Sequence, residues 1–132
     1  MQWIKSIPLL LFVFIAYNLI AVGGPEQLNQ VLLQTTLLSG VSWSFTVSDL
    51  LLALGIIALC VEMIKATRSS NASILDHMLS MLLFVAFLVE FIAYSLAATS
   101  TFFLMMLMSF VDVLAGFTVT IAAARRDVGY NE

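Results

Sequence analysis

Four apolar stretches, each about 20 residues long and separated by polar breaks, constrain this chain more than anything else in it. They run from about Ile4 to Val22, Val47 to Ala66, Ile74 to Ala97 and Thr101 to Ala124. A helix of about 20 apolar residues covers a hydrocarbon core of roughly 30 Å. Backbone polar groups in hydrocarbon must bond internally, so runs of this length read as helices. Of the 132 residues, 62% are hydrophobic and 10% are charged. A soluble domain carries roughly 25% charged residues and could not hide so much apolar surface. The expected fold is an all-α membrane protein, a single integral domain over residues 1–132, with four transmembrane helices in an antiparallel bundle.

The first stretch ends at the breaker Gly23-Gly24-Pro25. Lys5 and the small residues Ala21-Val22-Gly23 would also suit a signal peptide. We read the segment as an uncleaved anchor. Lys5 precedes the first stretch, Lys65 and Arg68 lie between the second and third, and Arg125 and Arg126 follow the fourth. The first and third connections contain no Lys or Arg. With four crossings every basic residue falls on one side, and the positive-inside rule makes that side cytoplasmic. Both termini are therefore expected in the cytoplasm of a cell whose inner membrane holds the chain.

The first connection, about 24 residues long, is the outer one. Leu28, Val31, Leu32 and Leu38 recur at helical spacing, with Gln27, Gln30 and Gln34 on other sides. That spacing predicts a short amphipathic helix lying on the membrane surface. Val41, Trp43, Phe45 and Val47 then alternate with Ser42, Ser44, Thr46 and Ser48, a period of two that suits an extended segment. Trp43 fits headgroup level. Thr46 and Asp49 are spaced as a capping box opening the second helix, and Ser73 and Asp76 repeat the pattern before the third. The outer region either lids the bundle or offers a partner a docking surface.

Acidic residues inside the stretches are costly, about 2.5–3.5 kcal/mol for a central Asp on insertion scales. Glu62 lies three residues before Lys65, on the same helix face. A tight hairpin would bring the pair level with Asp76 and His77, giving a polar cluster at the cytoplasmic interface. Glu90 and Asp112 are read as deeper, within about one turn of each other across an antiparallel pair, with Ser109 and Tyr94 as neighbours. No Lys or Arg shares their depth. They are either neutral and hydrogen-bonded, paired with a basic group on another subunit, or part of a proton or cation pathway. Asp112, Gly116, Thr120 and Ala124 recur every four residues, so the small ones among them offer a helix-packing face.

Several classes are disfavoured. A net charge of −3 leaves no basic patch for nucleic acid. Cys60 stands alone in an apolar run and reads as a small core residue. Met105, Met106 and Met108 have no Cys or His beside them, so they read as packing rather than copper ligands. His77 is the only histidine, and no nucleophile elbow or glycine-rich phosphate loop is present. No enzyme, metal or cofactor is expected.

Parts of the second half resemble a family of small bacterial inner-membrane proteins. The likeness rests on Ile74-Leu75-Asp76-His77-Met78-Leu79-Ser80, Val89-Glu90-Phe91 and Ala98-Thr99-Ser100-Thr101-Phe102-Phe103. It continues through Val111-Asp112-Val113, Gly116-Phe117-Thr118-Val119-Thr120 and Arg125-Arg126-Asp127. The resemblance implies a four-helix membrane protein and no assigned activity. Small multidrug transporters are also four-helix proteins, but they carry a glutamate in the first helix, and this chain has none there. The leading functional expectation is a structural or accessory subunit that assembles with membrane partners or with itself. The alternative is a proton- or cation-coupled transporter or channel that uses Glu90 and Asp112.

Overall fold

The computed structural model describes residues 7–67 and 71–130, and the side chains of all of these except 71–73, 120, 123 and 126–130. Among the described residues, four α-helices and one two-stranded sheet follow in the order α1 (Leu10–Gly23), β1 (Val31–Thr36), β2 (Ser42–Thr46), α2 (Val47–Ala66), α3 (Asn71–Ala93) and α4 (Ser100–Tyr130). Short 3-10 turns at Pro25–Asn29 and Ser95–Ala97 join α1 to β1 and α3 to α4. The helices alternate in direction. One end of the bundle therefore carries the β-hairpin and the α3–α4 link, and the opposite end carries the start of α1 and the α2–α3 connection.

Among the described residues, three helices are long and apolar enough to cross a membrane, over Val47–Ala66, Ile74–Ala93 and Ser100–Val119, each 20 residues. Leu54, Ile57 and Ile64 of α2, Leu82 and Ile92 of α3, and Leu114 and Ile121 of α4 are exposed. Apolar surface on this scale suits hydrocarbon rather than water. By contrast α1 has 14 residues, a rise of about 21 Å. It opens just after Pro8, whose carbonyl accepts the Leu11 N–H at 3.1 Å. It closes at Gly24, whose φ of 144° favours glycine, and Pro25 follows.

The core lies on one stripe of α4. Phe102, Met105, Met106, Ser109, Asp112 and Val113 are buried there at three- and four-residue spacing. α2 meets this stripe through Leu51, Gly55, Ala58 and Glu62. Its two small residues permit close approach, and a Cβ on Gly55 would meet Met108 Sδ at 2.8 Å. α3 meets α4 through Phe91 with Phe103, Phe84 with Phe110 and His77 with Phe117, centroids 5.7, 5.3 and 4.6 Å apart. Each pair is displaced by about seven residues from the next, the spacing that keeps a seam facing its neighbour. Toward the hairpin end α1 adds Phe14 and Tyr17 to Phe87 and Phe102, with Phe14 edge-on to Phe87 at 4.7 Å.

Several expectations are corrected. The amphipathic helix through Leu28, Val31, Leu32 and Leu38 is absent. One 3-10 turn buries Leu28, and residues 31–36 then pair antiparallel with residues 42–46. The extended segment around Trp43 forms as its period of two predicts, but an extended strand has N–H and C=O groups to satisfy. Residues 31–36 supply the partners, and this overrides the helical spacing. The turn closes with the Leu37 N–H donating to the Val41 carbonyl at 2.9 Å and Gly40 at φ +87°. The capping box forms, with Thr46 Oγ1 accepting the Asp49 N–H and the Asp49 carboxylate accepting the Thr46 N–H.

α3 ends at Ala93 rather than Ala97, and the link to α4 spans Tyr94 to Thr99 rather than three residues. α4 runs past Ala124 to Tyr130. The packing face expected through Asp112, Gly116, Thr120 and Ala124 stops early. Asp112 is buried and Gly116 half-buried, but Ala124 is exposed because α4 outruns its neighbours, and the Thr120 side chain lies outside the described residues. Cys60 is exposed, since it lies off the face of α2 marked by Ala58 and Glu62. The Ser73 side chain, and with it the expected second cap, lies outside the described residues.

Gly116 packs under the His77 ring so closely that an added Cβ would fall on it. Gly116→Ala is expected to destabilise the bundle by about 1–3 kcal/mol, the usual cost of overpacking. Thermal unfolding in lipid bicelles checks this, and the loss should shrink when His77→Ala is made in the same chain.

Candidate functional site

The polar groups between the helices, buried or half-buried, gather at two levels. At the hairpin end Tyr17 donates its phenolic proton to the Leu96 carbonyl at 2.8 Å and lies 2.7 Å from Thr99 Oγ1. Since that proton goes to Leu96, the Thr99 hydroxyl donates to the phenol oxygen. Thr99 Oγ1 also accepts the Phe102 N–H at 3.1 Å, so one hydroxyl caps α4 and ties it to α1. A turn away, Asn18 Nδ2 donates to Glu90 Oε2 at 3.1 Å and to the Phe14 carbonyl at 3.0 Å. An amide in an apolar helix finds a partner on a neighbouring helix for the reason polar groups generally do in lipid.

At the opposite end α1, α2, α3 and α4 converge on Glu62, whose side chain is 0% exposed. Its Oε1 accepts the Leu9 N–H at 2.8 Å and Lys65 Nζ at 3.2 Å. Leu9 stands at the start of α1, where unpaired N–H groups and the helix dipole favour a negative charge. Lys65 Nζ also reaches the Ile7 carbonyl at 3.5 Å and lies 3.8 Å from Asp76 Oδ1. The Asp76 carboxyl lies within hydrogen-bonding reach of Glu62. Asp112, 5% exposed, hydrogen-bonds Ser80 of α3 and feels the charges of Glu62 and Lys65. Three carboxyls thus surround one lysine. Glu62 Oε2 and Asp76 Oδ1 are buried and have no hydrogen-bond donor among the described residues.

Of the residues singled out in the sequence, Glu62, Lys65 and Asp76 come together. His77 lies at their edge against Phe117 and Gly116, with a buried Nε2 that has no hydrogen-bond partner among the described residues. Glu90 and Asp112 do not meet. The aromatic seam puts them about two turns apart, roughly 12 Å along the axis. The longer α3–α4 link is the reason, because it leaves Glu90 in the last turn of α3 and opposite the first turns of α4. Tyr94 is partly exposed, and its backbone N–H, not its phenol, bonds to the Glu90 carbonyl at 2.8 Å. Ser109 is buried on the α4 stripe one turn before Asp112.

Sequence reasoning missed Tyr17, Asn18, Ser80 and Thr99. Asn18 carried a signal, being an amide in the middle of an apolar run, and Ser80 stands one turn after Asp76. Among the described residues no group of three or more His, Cys, Asp and Glu side chains is arranged to hold a metal ion. Comparison with family models, curated proteins and solved structures finds no match to this chain.

Asn18→Leu is expected to weaken the bundle by leaving Glu90 Oε2 without its amide donor. The coupling between Asn18→Leu and Glu90→Leu should be about 0.6–1.7 kcal/mol, the range for hydrogen bonds between membrane helices. A double-mutant cycle on unfolding in mixed detergent measures it.

Proposed function

We propose that this chain is a small multi-pass protein of the bacterial inner membrane, of the four-helix kind its second half resembles. It crosses the bilayer four times with both termini in the cytoplasm, and it serves as a structural or accessory subunit that assembles with other membrane proteins or with itself. The placement of Lys65 and Arg125 supports the orientation, since both lie at the end opposite the hairpin. α1 is the shortest crossing, and a short span is accommodated by bilayer thinning or by its flanking residues.

The hairpin carries the assembly reading. From Gln27 to Ser48 the chain has no charged residue. Val31, Leu32, Leu33, Leu37, Leu38, Val41 and Trp43 are all exposed there. An isolated two-stranded hairpin is marginal in water, and apolar patches outside a span mark interaction surfaces. Purification in mild detergent followed by native mass spectrometry is expected to give a defined complex, and Leu33→Asp with Leu38→Asp is expected to dissociate it. A monodisperse monomer would count decisively against an assembly role.

A proton- or cation-coupled transport role has one observation in its favour, the buried Asp112 carboxyl beside Glu62 and Ser80. With Glu90 about two turns from Asp112, this reading is placed on Asp112 rather than on both carboxyls. Liposomes containing the chain should then carry a flux that Asp112→Asn abolishes and Glu90→Gln leaves intact. A flux indifferent to Asp112→Asn would rule the role out.

A further inference from the structure

We propose that Glu62 and Asp76 form a buried proton-binding site, a carboxyl–carboxylate pair sharing one proton between α2 and α3. This holds whether the chain docks a partner or carries ions. Four observations converge on it. The two carboxyls flank the same Lys65 Nζ, at 3.2 and 3.8 Å, and lie within hydrogen-bonding reach of each other. Neither brings a donor of its own when ionised, since a carboxylate only accepts. The free oxygens, Glu62 Oε2 and Asp76 Oδ1, are both buried and without a donor among the described residues. The Glu62 side chain is 0% exposed, so no bulk water stands in. Two carboxylates held side by side, one of them fully buried, repel each other, and one proton between them turns that repulsion into a charge-assisted O–H···O bond.

The surrounding groups fit one shared proton. Glu62 Oε1 is already occupied by the Leu9 N–H of α1 and by Lys65 Nζ, contacts made to a carboxylate, which leaves Oε2 to accept a proton carried by Asp76. With one proton the pair carries a single negative charge, and Lys65 of α2 brings one positive charge within 4 Å of both carboxyls. From α4 the site faces Asp112, which is engaged by Ser80 of α3. His77 of α3 points away toward Phe117 and Gly116 of α4. The proton is thus held where α1 begins, where α2 ends and where α3 starts, and it links three helices at one point.

Infrared spectroscopy of the chain in lipid at neutral pH is the test. The C=O stretch of a protonated carboxylic acid is expected in the wild-type spectrum, shifting down in D2O. Glu62→Gln and Asp76→Asn should each remove the intensity of one carboxyl, and Glu90→Gln should remove none. Asp76→Asn is the variant expected to keep the fold, because its amide supplies the donor that the proton supplied, and circular dichroism checks its helix content. A wild-type spectrum with no such band overturns the proposal. So does a band that survives both substitutions, or one that only Asp112→Asn removes.

Discussion

Along α4, Phe102, Met105, Ser109, Asp112 and Val113 lie on one stripe, and both α2 and α3 close upon it. The two contacts differ in kind. α2 comes close because Gly55 and Ala58 leave room for Met108, whereas α3 is held by aromatic pairs repeating at about seven residues. Such packing fixes register, since a slip of one turn would leave every aromatic pair unmatched. Once register is fixed, the carboxyls within the bundle have no choice of neighbours. Asp112 faces Ser80, Glu62 faces Asp76, and Glu90 is left to find Asn18 on α1.

The two polar levels solve the same problem by different chemistry. A polar group in an apolar medium must be partnered or it costs several kcal/mol. At the hairpin end one amide and two hydroxyls serve a carboxylate, a carbonyl and a helix start. At the opposite end charge is concentrated, and it is answered by Lys65 and by the first free N–H of α1. The start of α1 is therefore anchored to α2 electrostatically, and its later turns are anchored to α3 and α4 by rings and by Tyr17.

Much of the helical plan was legible in the sequence. The three long spans begin and end within a few residues of where the apolar runs do, and the capping box at Thr46 forms as its spacing implies. The sequence was misleading wherever the deciding interaction lay elsewhere in the chain. Leu28, Val31, Leu32 and Leu38 suit a helix taken alone, and only the needs of the strand through Trp43 draw them into a sheet. The apolar run to Ala97 hides the break after Ala93, because Tyr94, Leu96 and Ala97 are as apolar in a 3-10 turn as in a helix. That hidden break moved Glu90 out of reach of Asp112. The inner cluster was half legible, for the offset from Glu62 to Lys65 is local, whereas the approach of Asp112 depends on a register that no local pattern encodes.

α4 has one property its neighbours lack. It continues unbroken for 31 residues, about 46 Å, while its apolar span accounts for 20 of them. The remaining length, roughly 16 Å, carries the helix beyond that 20-residue span. A change in the tilt of α4 would therefore displace its far end laterally, in proportion to that added length.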